Sequence, residues 1–232
     1  MCGPDTQLEA DVRAVARWAV AQLDLRSHRG VHPRIGVLDV VPWIDLDDPW
    51  SSTTGRSLAA RDRFADWAGD HLAVPCFVYG PERTLPQVRR QAWRDLRPGT
   101  GPDRPHPSAG AIAVGVRGVL VAYNLWLDAA DVDVAKRIAT AVRRAGLRTL
   151  GLAVGNRYQV SCNLTEPSRL GPGDAYNLVA AEAQKAGADV TGAELVGLLP
   201  RAVLETVSPA RWAELDISAE RTIEARLAAV GR

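Results

Sequence analysis

The chain has 232 residues, 47% of them hydrophobic and 24% charged, and its 28 basic and 27 acidic side chains leave a net charge of +1. This composition suits one large globular domain or two small ones, and it excludes the charge surplus on which non-specific nucleic-acid binding depends. The three cysteines, Cys2, Cys76 and Cys162, are odd in number and show no C-x-x-C spacing, which argues against a disulfide framework or a structural zinc site and for a reducing, cytoplasmic setting. Residues 1–7 carry no signal or lipidation pattern and no apolar run approaches membrane-spanning length, so a soluble protein with no membrane or nucleic-acid partner is expected.

In chain order, Leu8, Val12, Val15, Ala16, Ala19 and Val20 recur at helical spacing and predict an amphipathic helix over 7–23, capped by Asp5 or Thr6, with Arg13 and Arg17 on its wetter side. Residues 35–43 read as a strand and 45–55, rich in Asp, Ser and Thr, as a loop. A helix over 58–72, a strand over 74–79 and a basic helix over 85–96 follow. The Pro- and Gly-rich segment 97–110 is a linker or a binding loop. Beyond strand candidates 111–116 and 119–127, joined through Arg117-Gly118, come a helix at 131–145, strands at 148–154 and 158–164, a helix at 174–186 and a strand at 189–192. Taken from the strand at 119, that order is β-α-β-β-α-β, the order of a ferredoxin-like split βαβ unit. In such a unit helices cover one face of an antiparallel sheet and leave the other for a partner sheet or a ligand. A short helix over 219–229 closes the chain.

Among candidate functional residues, His32 stands out, because it precedes Pro33 and Arg34 at the mouth of the predicted strand. An unperturbed imidazole, with a pKa of about 6.5, can take and return a proton near neutrality, and Pro33 holds the backbone before it extended. On those grounds alone, a lone histidine before proline is more often an exposed or capping loop residue. Arg34 suits a carboxylate clamp, since a guanidinium can bind both oxygens, and equally an ion pair with Asp39. Asp39 lies in an otherwise apolar run and needs a partner, such as His32 or Arg34. His28 and His32 are four apart, but Gly30 and Pro33 disfavour a helix there and no H-E-x-x-H glutamate accompanies them, so no metal is expected. The segment Gly171-Pro172-Gly173-Asp174 lacks the lysine of a phosphate loop and reads as a turn and helix cap. Asn124 and Asn163 are polar positions within apolar strands, expected to be satisfied internally. Trp43 is near enough to the motif to line a site for a flat ring.

The run His32-Pro33-Arg34-Ile35-Gly36-Val37-Leu38-Asp39-Val40-Val41-Pro42 closely resembles the signature of the glutamate formimidoyltransferase family, folate-dependent transferases found alone in bacteria and fused to a cyclodeaminase in animals. Further resembling segments follow in the family's order: Asp24-Leu25-Arg26-Ser27-His28-Arg29-Gly30, Val74-Pro75-Cys76-Phe77-Val78-Tyr79-Gly80, Leu85-Pro86-Gln87-Val88-Arg89 and Pro107-Ser108-Ala109-Gly110-Ala111. After these come Ala122-Tyr123-Asn124-Leu125, Gln159-Val160-Ser161-Cys162-Asn163-Leu164 and Gly192-Ala193-Glu194-Leu195-Val196-Gly197-Leu198-Leu199-Pro200. The resemblance spans about residues 12–204.

The resemblance implies an α/β (α+β) chain of two ferredoxin-like formiminotransferase subdomains, the first (1–117) shortened by its opening strands, the second over 118–207, and a helical tail over 208–232, with a folate cleft between the subdomains. It implies transfer of a formimidoyl group from N-formimidoyl-L-glutamate to N5 of tetrahydrofolate, a co-substrate, in one-carbon metabolism and histidine degradation, without a metal. His32 then becomes the general acid/base, supported by Arg34 and Asp39. Gly101, Pro102, Asp103, Arg104, Pro105, His106, Pro107, Ser108, Ala109 and Gly110 stand where the family binds folate, with Ala109 where a bulkier residue is often found. Formyl transfer between glutamate and tetrahydrofolate, and folate binding without catalysis, are the alternatives. An exposed edge left by missing strands would favour a homodimer.

Overall fold

The protein is described here by a computed structural model covering every residue except Ser52 and Arg232. The chain divides into two compact units, Met1–Gly118 and Val119–Arg232, each with mixed helices and strands.

The first unit runs α1 (Asp5–Gln22), β1 (Val40–Trp43), α2 (Gly55–Leu72), β2 (Cys76–Tyr79), α3 (Leu85–Gln91) and β3 (Ile112–Val116). Among the described residues its strands form a parallel sheet in the order β1-β3-β2. The central strand is buried along its whole length, as parallel strands covered on both faces are. On one face α2 packs Phe64, Ala65 and Ala68 against Val41, Trp43, Val114 and Val116. On the other, Val88 of α3 closes over Phe77, Tyr79 and Ala113. Burying a ring such as Phe64 stabilises the unit by about 1.5–3 kcal/mol. α1 lies on α2 through Ala16, with Leu8, Val12 and Val20 around it.

Helix ends in this unit follow from local chemistry. α2 begins with a reciprocal capping box, Ser57 N–H donating to Thr54 Oγ1 (3.2 Å) and Thr54 N–H to Ser57 Oγ (3.1 Å). Thr84 and Gln87 repeat the device at α3. The cap of α1 is Pro4 rather than Asp5 or Thr6, and Arg13 and Arg17, half-buried and exposed, stand 5.4 and 4.9 Å from the centroid of Trp67. The basic helix expected over 85–96 stops at Gln91. Trp93 there takes the left-handed conformation (φ 68°) and meets Phe77 edge-on at 4.9 Å, a contact that a continued helix would forfeit.

The second unit runs β4 (Val121–Asp128), α4 (Val132–Val142), β5 (Leu147–Val154), β6 (Arg157–Leu164), α5 (Pro172–Lys185), β7 (Asp189–Val196), α6 (Arg201–Leu204) and α7 (Ile223–Ala229). Its sheet is antiparallel in the order β5-β6-β4-β7, the β-α-β-β-α-β arrangement read from the sequence. Strict alternation explains the layering. Val121, Tyr123, Leu125, Val160, Cys162 and Leu164 face Ile138, Val142, Ala175 and Val179 of the helices, while the residues between them form the opposite face. Asp131 caps α4, accepting from the N–H groups of Asp133 (2.8 Å) and Val134 (3.0 Å). Gly155 (φ 61°) opens the two-residue turn joining β5 to β6, where a positive φ suits the strand twist. Leu215 and Ile217 enter the same core, and Tyr123 donates its hydroxyl to Leu215 O (2.9 Å). Among the described residues no helix is long and apolar enough to cross a membrane.

Candidate active site

The strand expected from Ile35 begins only at Val40, and its delay shapes the region around His32. Asp39 turns its carboxylate back and accepts the Ile35 N–H at 2.7 Å, closing residues 35–39 into a turn that no ladder can include. Arg89 of α3 grips the same carboxylate, Nη1 reaching Oδ1 at 3.3 Å and Nη2 pairing with Oδ2. Asp39 is therefore partnered by Arg89 and a backbone amide, neither by His32 nor by Arg34. Arg34 instead donates Nη2 to Gly30 O (2.8 Å), and its guanidinium and His28 close around Gly30, where a Cβ would lie 2.4 Å from Arg34 Nη1 and 2.9 Å from His28 Nε2. His32 lies in this exposed loop, eight residues before β1 and not at its mouth, with no hydrogen-bond partner among the described residues.

The segment from Gly101 to Gly110 is anchored at both ends. Gly101 (φ 79°) lies against Gly69 of α2, whose added Cβ would come within 2.7 Å of the Gly101 nitrogen. Pro102 is half-buried, and Asp103, Arg104 and Pro105 are exposed. From His106 the chain folds into a tight loop, with His106 N–H donating to Gly110 O (2.8 Å) and Gly110 N–H to His106 O (3.0 Å). His106 Nδ1 accepts the N–H groups of Ala109 (3.0 Å) and Ser108 (3.3 Å), so the neutral ring carries its proton on Nε2. Pro107 is exposed, Ser108 half-buried and Ala109 buried.

Hydrogen bonds join this loop to the His32 segment. Leu25 N–H donates to Ser108 O (2.7 Å), Val37 N–H to Ala109 O (3.0 Å) and Ala111 N–H to Ile35 O (2.9 Å), and Gly36 bridges Gly110. The approach is so close that a Cβ on Gly36 would stand 2.0 Å from Ala111 O, and one on Gly110 2.3 Å from Ile35 O. Residues 35–39 and 106–111 thus form one braced frame, from which the loop bearing His28, His32 and Arg34 extends. Arg89, which holds Asp39, and the bracing role of His106 had no signal at the level of sequence, because their partners lie 50 residues away or in the main chain. Trp43 is buried against Phe64, with ring centroids 6.1 Å apart.

The loop carries an exposed imidazole able to move protons, and a guanidinium able to meet a carboxylate. Among the described residues no group of three or more His, Cys, Asp or Glu side chains is placed to hold a metal ion. Burial pushes the Cys76 and Cys162 thiols up to about 12, which removes them as nucleophiles near neutrality. A shallow cavity in the second unit, about 320 Å³, is lined by Arg169, Gly171, Asp174, Asn177 and Arg211 among others and by none of the predicted site residues. Asp174 already accepts the Gly171 N–H there (3.0 Å) and Arg211 is paired with Glu214 (2.7 Å), so an anion gains little at that helix start.

Both halves of the chain have known relatives. Residues 1–117 match the formiminotransferase domain, N-terminal subdomain, and residues 122–212 the formiminotransferase domain. The glutamate formimidoyltransferase of Streptococcus pyogenes serotype M1 is 28% identical over 230 residues, covering 90% of this chain and 76% of that protein. That of Thermoplasma acidophilum is 32% identical over 209 residues, covering 80% and 68%. The formimidoyltransferase-cyclodeaminase of Rattus norvegicus is 31% identical over 234 residues, covering 88% of this chain but 42% of that protein. With both halves matched by the same domain family, and in the order its subdomains take, this chain belongs to the formiminotransferase family.

Proposed function

We propose that the protein transfers a formimidoyl group from N-formimidoyl-L-glutamate to N5 of tetrahydrofolate. The observation that carries this reading is the exposed imidazole of His32, without a hydrogen-bond partner among the described residues, on a loop extending from a braced frame. As N5 attacks the amidine carbon, a tetrahedral intermediate forms and the attacking nitrogen must lose its proton. When the bond to the glutamate nitrogen breaks, that nitrogen must gain one. A single imidazole can accept the first proton and deliver the second. Arg34, held at one nitrogen by Gly30 O, offers the rest of its guanidinium to a carboxylate of either substrate. Asp39 and Arg89 hold the base of the loop rather than the imidazole itself. The segment from Gly101 to Gly110 contacts the folate, with Asp103, Arg104 and Pro105 exposed.

Formimidoyl transfer, followed through the absorbance of the folate product, tests the assignment. The His32→Ala variant should lose about a hundredfold or more in turnover while still binding tetrahydrofolate; undiminished turnover would remove His32 from the chemistry. Offering N-formyl-L-glutamate beside the formimidoyl donor decides the transferred group. Preference for the formyl donor would replace formimidoyl transfer by formyl transfer at the same site.

A further inference from the structure

Three consecutive peptide groups between Ser108 and Ala111 join His106 on one side to the His32 loop on the other. The first, between Ser108 and Ala109, donates its N–H to His106 Nδ1 (3.0 Å) and accepts the Leu25 N–H at its C=O (2.7 Å). The second donates the Gly110 N–H to His106 O (3.0 Å) and accepts the Val37 N–H at Ala109 O (3.0 Å). The third accepts the His106 N–H at Gly110 O (2.8 Å) and donates the Ala111 N–H to Ile35 O (2.9 Å). A trans peptide group is a rigid plane with its N–H and C=O pointing in opposite directions, so whatever holds one end orients the other.

Leu25 on one side and Ile35 and Val37 on the other bracket the stretch that carries His28, His32 and Arg34. Two of the three planes are held by the main chain of His106, which most residues could supply. The plane that meets Leu25 depends on the imidazole, and the Ser108 N–H adds a second bond to the same ring nitrogen at 3.3 Å. The Ser108, Ala109 and Gly110 carbonyls are therefore all engaged within the protein, and Ala109 and Gly110 are buried. The exposed residues Asp103, Arg104 and Pro105 are left to face a ligand, while His106 to Gly110 are occupied in closing the base of the loop.

We propose that His106 is a positioning residue for His32: its ring locks the peptide that closes the entry to the loop, and so fixes where the acid/base stands, without touching the folate itself. The assignment rests on the proposed function, since that reading gives His32 its proton to move. An acceptor that serves the N–H groups two and three residues further on is the arrangement that asparagine makes in turns and at helix starts. Asparagine Oδ1, like histidine Nδ1, is bonded to Cγ, so it stands in the same place. The ring is thus replaceable by a side chain with that acceptor, and not by one that lacks it.

Steady-state formimidoyl transfer by the full chain, with tetrahydrofolate varied, tests it beside amide hydrogen exchange. His106→Leu should lower kcat about tenfold, as a small misplacement of a reacting group does, and leave KM for tetrahydrofolate within about twofold. Exchange of the Leu25 amide should quicken about tenfold in that variant, while the Val114 amide in β3 keeps its protection. His106→Gln, which keeps a polar atom near Nε2 but none at Nδ1, should behave as His106→Leu does and takes its place should that variant misfold. His106→Asn should restore both kcat and the Leu25 protection. A loss expressed in KM, or rescue by Gln and not by Asn, would show that the outer edge of the ring meets the folate and would overturn the positioning role. Undiminished kcat in folded His106→Leu or His106→Gln would overturn it too and leave the proposed function standing. A wild-type chain that transfers nothing would overturn both.

Discussion

The two units solve the same packing problem in different ways. In the second, an antiparallel sheet alternates between a helix-covered apolar face and an open face. In the first, a short parallel sheet is buried on both sides, and the residues before β1 and β3 are braced by side chains and close glycine contacts instead of a ladder. Regular pairing leaves a flat surface, while an irregular frame leaves projecting loops. The first unit presents an exposed imidazole because its chain enters the ladder late; the second presents an open sheet face because its helices cover only the other face.

Glycine replacements sharpen this contrast most strongly. Gly36→Ala drives a Cβ into Ala111 O and should destabilise by at least about 3 kcal/mol in urea denaturation. Gly155→Ala, at a turn with open space around it but φ of 61°, should cost only about 1 kcal/mol. Equal losses at the two sites would contradict the view that crowding governs the first unit's frame and turn conformation the second's. An effect smaller than that at Gly36 is expected of Asp39→Asn, which weakens the half-buried pair with Arg89 and should lower stability by about 1–2 kcal/mol. A double-mutant cycle with Arg89→Met isolates the coupling, and additivity would show that Asp39 matters only through the Ile35 N–H.

The smallest effect near neutrality concerns the two buried thiols, one in each unit. Folding raises both thiol pKa values to about 12 from near 9.0. The unfolded chain therefore ionises first, and their contribution to stability is lost as pH rises from about 9 towards 12. At pH 8 iodoacetamide should leave both unmodified in the native protein and alkylate both in denaturant. Selective native labelling of Cys76 would mark the parallel sheet as the looser of the two.

The second unit was the more legible in the sequence. Its strands alternate cleanly, its Gly155-Asn156 turn is short, and its neighbouring strands are joined by local connections, so element order alone implied the sheet. In the first unit the strand at 35–43 and the helix at 85–96 were both read too long. The reading failed for the same reason each time: a distant partner outcompeted local propensity, Arg89 and the Ile35 N–H at Asp39, and Phe77 at Trp93. The resemblance carried by residues 32–42 pointed to His32 without revealing that it stands on a loop. His106 was read only as part of a binding segment, since its hold on Leu25 arises only when the two loops meet.

By itself the sequence determined which segments become helices and strands, the split βαβ order of the second half, and the family to which the chain belongs. These follow from periodicity, turn residues and short motifs, all properties of neighbouring positions. Tertiary structure alone decided where β1 begins, which cation holds Asp39, how Gly36 and Gly110 cross, and that the loop closed by His106 receives the Leu25 and Val37 amides. Those outcomes depend on hydrogen-bonding groups brought within about 3 Å of one another from distant parts of the chain.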